Sequence, residues 1–356
     1  MTTPKASQYA SSGRASRSLI TRRQFSNYAA TFAAATAAPA IVRAQTPIPL
    51  RFSSSMVADG NAAHYVWYQK LDAALKAGPA SAIKLEYFPN NQLGKEADVV
   101  QQVKVGSIDL MVTGSSIWAT VLPELGMLDL GYVFDSYAHV GRAMDGPAGA
   151  SISNMLQERT GCTILTWASH FGPRNVYTKQ QVKSLADVKG VKLRVLPTPA
   201  FIETFKIMGA IPTPIPFGEL YMAAQTGVVD GFEHDAGTVL ASKFNEVTKS
   251  CWMTEHLFSP MVVVAGKRGM DKIPANLRPA FAAAVADATA QQRAIALEKA
   301  TSSIEELKKL GMTFFPMAAS ERNSVRKQME TQLWASFVKQ YPTTGPLFAA
   351  IEKARA

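Results

Sequence analysis

Two arginines in the middle of the chain stand where a guanidinium can grip an anion. In Gly190-Val191-Lys192-Leu193-Arg194-Val195, Arg194 alternates with Leu193 and Val195, so on a strand its side chain points to the opposite face. There its planar fork can hold a carboxylate through two parallel hydrogen bonds, which lysine cannot reproduce; the plain alternative is a surface arginine. Arg174, in Gly172-Pro173-Arg174-Asn175, is the second. Phe217 follows a Pro-rich segment and opens a helix, where its ring can cover a ligand or simply pack into a core. Glu219, in the same opening turn, is explained by the helix dipole. Glu233-His234-Asp235 is titratable and follows a predicted strand, at the strand end where α/β proteins place ligands, though a solvated turn has the same composition.

An enzyme using Glu233, His234 and Asp235 as acid and base groups is the main rival to a binding protein. The chain has no Gly-x-Ser-x-Gly elbow, phosphate loop or Gly-x-Gly-x-x-Gly fingerprint. Its five histidines show no metal-ligand spacing, and Cys162 and Cys251 stand too far apart for a local zinc motif. No cofactor and no metal are therefore expected. The two cysteines can form a disulfide in an oxidising compartment or remain buried thiols.

These residues need a scaffold, and the patterning supplies one. Ile48 to Ser55 reads as a strand, Asn61 to Lys76 as a helix capped by Asn61, Ile83 to Phe88 as a strand and Lys95 to Val105 as a helix. Strand and helix alternate as in a mostly parallel α/β sheet. Gly106 stops that second helix, and Asp109 leads into a strand over 108–112. Gly227 and Asp230 repeat the device after a helix over 219–225, which points to two lobes of similar construction. Between the copies, 193–196 reads as a strand, 199–208 as a helix and 211–216 as extended. Met261 to Val264 reads as a buried strand returning to the first lobe, 275–310 as helical, 313–315 as a strand and 320–339 as a closing helix.

The first 44 residues hold Lys5, Arg14, Arg17, Arg22, Arg23 and Arg43 and no acid, with an apolar run from Tyr28 to Val42. They read as an export signal of the twin-arginine type, cleaved after Ala44, rather than as part of the fold; an ordinary secretory signal is the alternative. The run, broken by Pro39, is shorter than the roughly 20 residues of a spanning helix. Its removal lowers the net charge from +10 to +4 and leaves 312 of the 356 residues, enough for two lobes. No basic cluster with interleaved aromatics remains, so nucleic acid is not an expected partner.

The strings Ser184-Leu185-Ala186-Asp187-Val188-Lys189-Gly190, Phe217-Gly218-Glu219-Leu220-Tyr221 and Gln225-Thr226-Gly227-Val228-Val229-Asp230-Gly231, with Asn91-Gln92-Leu93-Gly94 upstream, resemble the solute-binding subunits (DctP family) of tripartite ATP-independent periplasmic (TRAP) transporters. The resemblance implies an α/β, two-lobed periplasmic solute-binding fold, type II-like, with a long helix spanning both lobes. It implies lobe 1 over 45–171, lobe 2 over 172–258, a return to lobe 1 and the spanning helix over 259–300, and C-terminal helices packing on lobe 2 over 301–356. It also implies periplasmic capture of a small organic acid, anchored by Arg194 with Arg174 beside it, covered by Phe217, and passed to the membrane permease subunits. His234 stands where many members have Asn after the residue matching Glu233. Ser115, Ser116 and Trp118 match first-lobe contact positions, and His64 can face the cleft. A rim of Trp118, Phe171 and Phe217 suits a monocarboxylate with an apolar or aromatic body; a sugar acid and a dicarboxylate are the other candidates. A sensory protein that binds the same solute is a third reading of the chain.

Overall fold

The computed structural model describes residues 46–355. The expected export signal lies outside them. Eleven strands form two sheets: β1 (Ile48–Ser54), β2 (Ile83–Phe88), β3 (Leu110–Gly114), β4 (Thr163–Ser169), β5 (Arg174–Thr178), β6 (Lys192–Val195), β7 (Ile211–Pro214), β8 (Gly231–His234), β9 (Ser250–Leu257), β10 (Pro260–Ala265) and β11 (Thr313–Pro316). The first sheet has the order β2-β1-β3-β10-β4 and the second β11-β9-β5-β8-β6-β7. The fold is thus α/β and two-lobed.

The sheets are mixed rather than mostly parallel. β1, β2 and β3 pair in parallel, and so do β7, β6 and β8, but β10 runs antiparallel to both β3 and β4, and β5 antiparallel to both β8 and β9. The cause is the crossing between lobes. β4 leaves the first sheet and the chain enters β5 of the second within four residues, while β9 leaves the second sheet and enters β10 of the first after Phe258 and Ser259. Two strand pairs so connected must run in opposite directions, and these short connections are where the lobes can hinge.

The repeated glycine device does the same work in both lobes. Gly106 and Gly227 cap their helices in the left-handed conformation, at φ 83° and 81°, which a side chain would strain. Three residues on, Asp109 and Asp230 each exchange a backbone N–H and a carboxylate with one residue of the neighbouring strand. Asp109 takes the Arg51 N–H at 2.8 Å and Asp230 the Lys192 N–H at 2.9 Å. Each backbone N–H in turn donates to the carbonyl of the same residue. This clamp sets the parallel register of β3 on β1 and of β8 on β6.

The helix Ala63–Ala77 buries Trp67, Leu71 and Leu75 against Leu50 and Phe52 of β1. Its N-cap is Ala62, not Asn61; the Asn61 side chain instead accepts from Lys299 Nζ at 2.7 Å, tying the helix start to the long helix Arg278–Lys309. That 32-residue helix is about 48 Å long and packs on Ala63–Ala77 and β4 at one end and on Ala236–Ala241 of the other lobe. Its apolar stripe is thin because only part of each turn meets a lobe. Of the segments beyond it, β11 pairs with β9 in the second sheet, whereas the last helix, Gly345–Lys353, packs on the helix Pro147–Thr160 that precedes β4. Cys162 and Cys251 are free, buried thiols in separate core clusters.

Candidate functional site

A cavity lies between the lobes, lined by Ser55, Met56, His64, Glu96, Gly114 and Ile117 together with His170, Arg174, Leu196, Phe217, His234 and Ser259. The sheets explain the list. Ser55 follows β1, Gly114 ends β3, His170 follows β4, Leu196 follows β6 and His234 ends β8, so both lobes aim strand carboxyl ends into one crevice. The free space is about 20 Å³, the room of a single water, so a solute with a carbon chain enters only when the lobes part.

The two predicted arginines have different fates. Arg174, on β5, is buried, and its Nε and Nη2 donate to Glu233 Oε2 and Oε1 at 2.5 and 2.8 Å, a two-pronged pair with the strand beside it. His256 Nε2 lies 3.5 Å from the same carboxylate. Burial alone pushes the Glu233 carboxyl up, but Arg174 and His256 outweigh it and hold Glu233 below the usual carboxylate range. Arg194, on β6, is fully buried too. Its Nε donates to the Ile215 carbonyl at 2.7 Å, but neither Nη1 nor Nη2 has a hydrogen-bond partner among the described residues. Burial lowers its pKa to about 10, with the charge of Glu233 acting in the opposite sense and Arg174 adding to the fall. A buried guanidinium with two unmet nitrogens is costly, because nothing in the fold repays its lost hydration.

His64, His170 and His234 line the cavity as neutral rings. His64 and His170 have ring centres 5.7 Å apart, and His234 sits 5.4 Å from Phe217. Burial drives His64 well below its ordinary pKa and His170 to about 4; burial followed by the Arg174 charge lowers His234. His64 Nδ1 meets Ser54 Oγ at 3.0 Å and His234 Nδ1 meets Asp235 Oδ2 at 2.8 Å, leaving His64 Nε2 and both His170 nitrogens without a partner among the described residues. A neutral imidazole offers one donor and one acceptor, the pattern that matches a hydroxyl. Glu96 accepts from Ser55 Oγ at 2.9 Å and Thr113 Oγ1 at 2.6 Å.

Of the ten residues predicted, Arg174, Phe217, His234 and His64 line the cavity; Glu233 is bonded to the lining Arg174, and Arg194 feels the charges of the lining Arg174 and Glu96. The other four are elsewhere. Ser115 donates to buried Asp129, Ser116 faces a different cavity, and Trp118 and Phe171 are fully buried in the two main cores. The backbone of Gly237 packs so tightly on Phe171 that an added Cβ would come within 2.6 Å of it. The expected aromatic rim is therefore reduced to Phe217. Sequence reasoning missed Ser55, Met56, Glu96, His170, Leu196 and Ser259, although the position of Ser55, His170 and Leu196 just past strand ends was a usable signal.

The family model for bacterial extracellular solute-binding protein, family 7 (DctP), matches residues 54–340. The chain belongs to this family. Family 7 relatives include the 2,3-diketo-L-gulonate-binding periplasmic protein of Escherichia coli, 29% identical over 81% of this chain and 87% of that one. Among solved structures, the sugar acid binding protein of Advenella mimigardefordensis in complex with galactonate superposes with a TM-score of 0.81 at 25% identity, over 87% of this chain and 99% of that one. A TRAP periplasmic solute-binding protein of Polaromonas bound to D-erythronate gives 0.79 at 28% identity, over 86% and 99%. The chain is thus a periplasmic solute-binding protein of the TRAP type, and no helix among the described residues is long and apolar enough to cross a membrane.

Proposed function

We propose that this family 7 protein captures a hydroxylated monocarboxylate, a sugar acid, and hands it unchanged to the membrane permease subunits of a TRAP transporter. The observation that carries the reading is Arg194, a buried cation whose two terminal nitrogens have no partner within the described fold and whose neighbours Arg174 and Glu96 line the cleft. A carboxylate bridging Nη1 and Nη2 would repay the burial cost that the fold leaves open. The histidine nitrogens left unmet are suited to hydroxyls, and a lining with one aromatic ring favours a hydroxylated body over an apolar one. The sugar acids named in the complexes of structural neighbours agree with this chemistry. A second carboxylate would have to share the cleft with Glu96, which argues against a dicarboxylate.

The enzyme reading loses its candidates in the same geometry. Glu233 is paired with Arg174, and Asp235 is held by His234 Nδ1 and by the Thr238 N–H at 3.0 Å, so neither carboxylate of the triplet is free to act on a cleft solute. The test is thermal unfolding of the protein against a panel of aldonates, uronates, C4 dicarboxylates and aromatic acids, repeated with Arg194→Met. A ligand at about 100 times its Kd stabilises by about 2.7 kcal/mol, so an aldonate or uronate should raise the Tm by several degrees, and the variant should abolish the rise. A larger rise with dicarboxylates or aromatic acids would overturn the substrate class; no rise with any acid in ligand-free protein would overturn the function.

A further inference from the structure

A second cavity of the described fold is larger than the free space in the cleft. It lies behind it, about 300 Å³ in volume, walled by the turn Ser115–Thr120 and the segment after it, by the start of the helix Pro199–Ile207, and by the C-terminal stretch Leu333–Tyr341. The two cavities share a wall one residue layer thick. Along the 3₁₀ turn Ser115–Thr120 and the Gly114 that caps it, Gly114 and Ile117 face the cleft, while Ser116 and Ala119 face the rear cavity, each pair three residues apart. On the other lobe Leu196 faces the cleft, and Pro197 and Thr198 face the rear.

The rear cavity is walled mainly by apolar surface, and its buried polar groups without partners gather at one end. Pro123, Leu130, Leu333 and Phe337 supply the apolar wall. The polar end is the N-terminus of Pro199–Ile207, whose first-turn amides at Ala200 and Phe201 have no intrahelical acceptor. Thr198, at the N-cap, makes no side-chain cap; its hydroxyl and that of Ser116 are both buried, both line the cavity, and neither has a hydrogen-bond partner among the described residues. Glu203 lines the cavity from the same helix, but its carboxylate is drawn to Lys206 at 2.7 Å and is half exposed. Unmet donors on a helix N-terminus above an apolar chamber make a receptor for one negative head on a short apolar tail.

We infer that this rear cavity is a second ligand site, taking a small monocarboxylate with an apolar body, its head on Thr198, Ser116 and the Pro199–Ile207 N-terminus.

Hexanoate is the probe, with 1-hexanol as its uncharged counterpart, followed by NMR and calorimetry. Arg194→Met serves as background so that the probe cannot be read from the cleft arginine. Hexanoate should bind this variant, shift resonances of Leu333 and Phe337, and bind more tightly than 1-hexanol. Thr198→Val should weaken hexanoate about tenfold and leave 1-hexanol unchanged, as loss of a hydrogen bond to a charged group does. Ala119→Trp, which fills the chamber, should abolish binding of both while the melting curve shows a folded protein. Binding that survives Ala119→Trp and Thr198→Val alike, or no binding of hexanoate at millimolar concentration, overturns the site. Because none of these readouts depends on the cleft solute, their failure leaves the sugar-acid reading standing.

Discussion

Arg174 and Arg194 lie in one sheet on either side of β8, both out of reach of water, yet the fold treats them oppositely. Arg174 has its counter-charge built in: Glu233 on the next strand takes both prongs of its fork. Arg194 has one bond, to a neutral carbonyl, and two nitrogens unmet by the described residues. The first is a closed pair whose arginine lines the cleft; the second is the one proposed above to receive the solute. Burial and residue type are the same in both, and both flank β8, so what separates them is that the Glu233 carboxylate on that shared strand is bonded to Arg174 and not to Arg194.

That contrast is broken most severely at Arg174. Arg174→Met leaves Glu233 buried and uncompensated and should cost about 3–5 kcal/mol in denaturant unfolding, while Arg174→Met combined with Glu233→Met should recover most of it. A single variant as stable as the parent would mean that the pair is not what holds β5 to β8. Arg194→Met should do the reverse. The empty protein should be as stable as the parent or more so, and affinity for its acid should fall about a hundredfold or more in calorimetry, since a charged hydrogen-bonded contact is lost.

Acidification probes the neutral side of the cleft. Burial pushes the His170 ring down to about 4 from the ordinary 6.5, so below pH 6.5 the unfolded chain binds a proton that the native ring does not. Stability is therefore intact at pH 7 and is lost as the pH falls from about 6.5 towards 4. By pH 5 the loss from His170 alone should be about 2 kcal/mol, with His64 and His234 shifted in the same direction. Replacing His170 with Gln should flatten that slope. The smallest effect is expected at the mouth, where Lys95 and Glu219 meet across the lobes at 2.6 Å with both side chains more than half exposed. Lys95→Ala should weaken solute binding less than about fivefold, and moderate salt should erase the difference.

Much of this was legible in the sequence. Alternation around Arg194 placed it on a strand with its side chain opposed to Leu193 and Val195, and the repeated Gly-x-x-Asp device marked equivalent clamps in two lobes. The antiparallel strands were harder to read. β4, β5 and β9 carry no distinctive period, since all are buried on both faces or bent by bulges such as that at Glu255, whose φ is 46° and whose N–H is held by Asn175 Oδ1. The fate of Trp118 and Phe171 was invisible for a related reason. A large aromatic beside a predicted strand end fits a rim and a core equally well, and only the packing of Phe171 on Gly237 decides between them. The pairing of Arg174 with Glu233 depends on which strands are neighbours, which no local pattern encodes.

The most direct test of the central claim is the structure of the protein with the sugar acid that stabilises it most. The account predicts the ligand carboxylate within hydrogen-bond distance of both Nη1 and Nη2 of Arg194, with the Arg174–Glu233 pair intact behind it. A carboxylate bound to Arg174 with Glu233 displaced, or one that leaves Arg194 untouched, would contradict it.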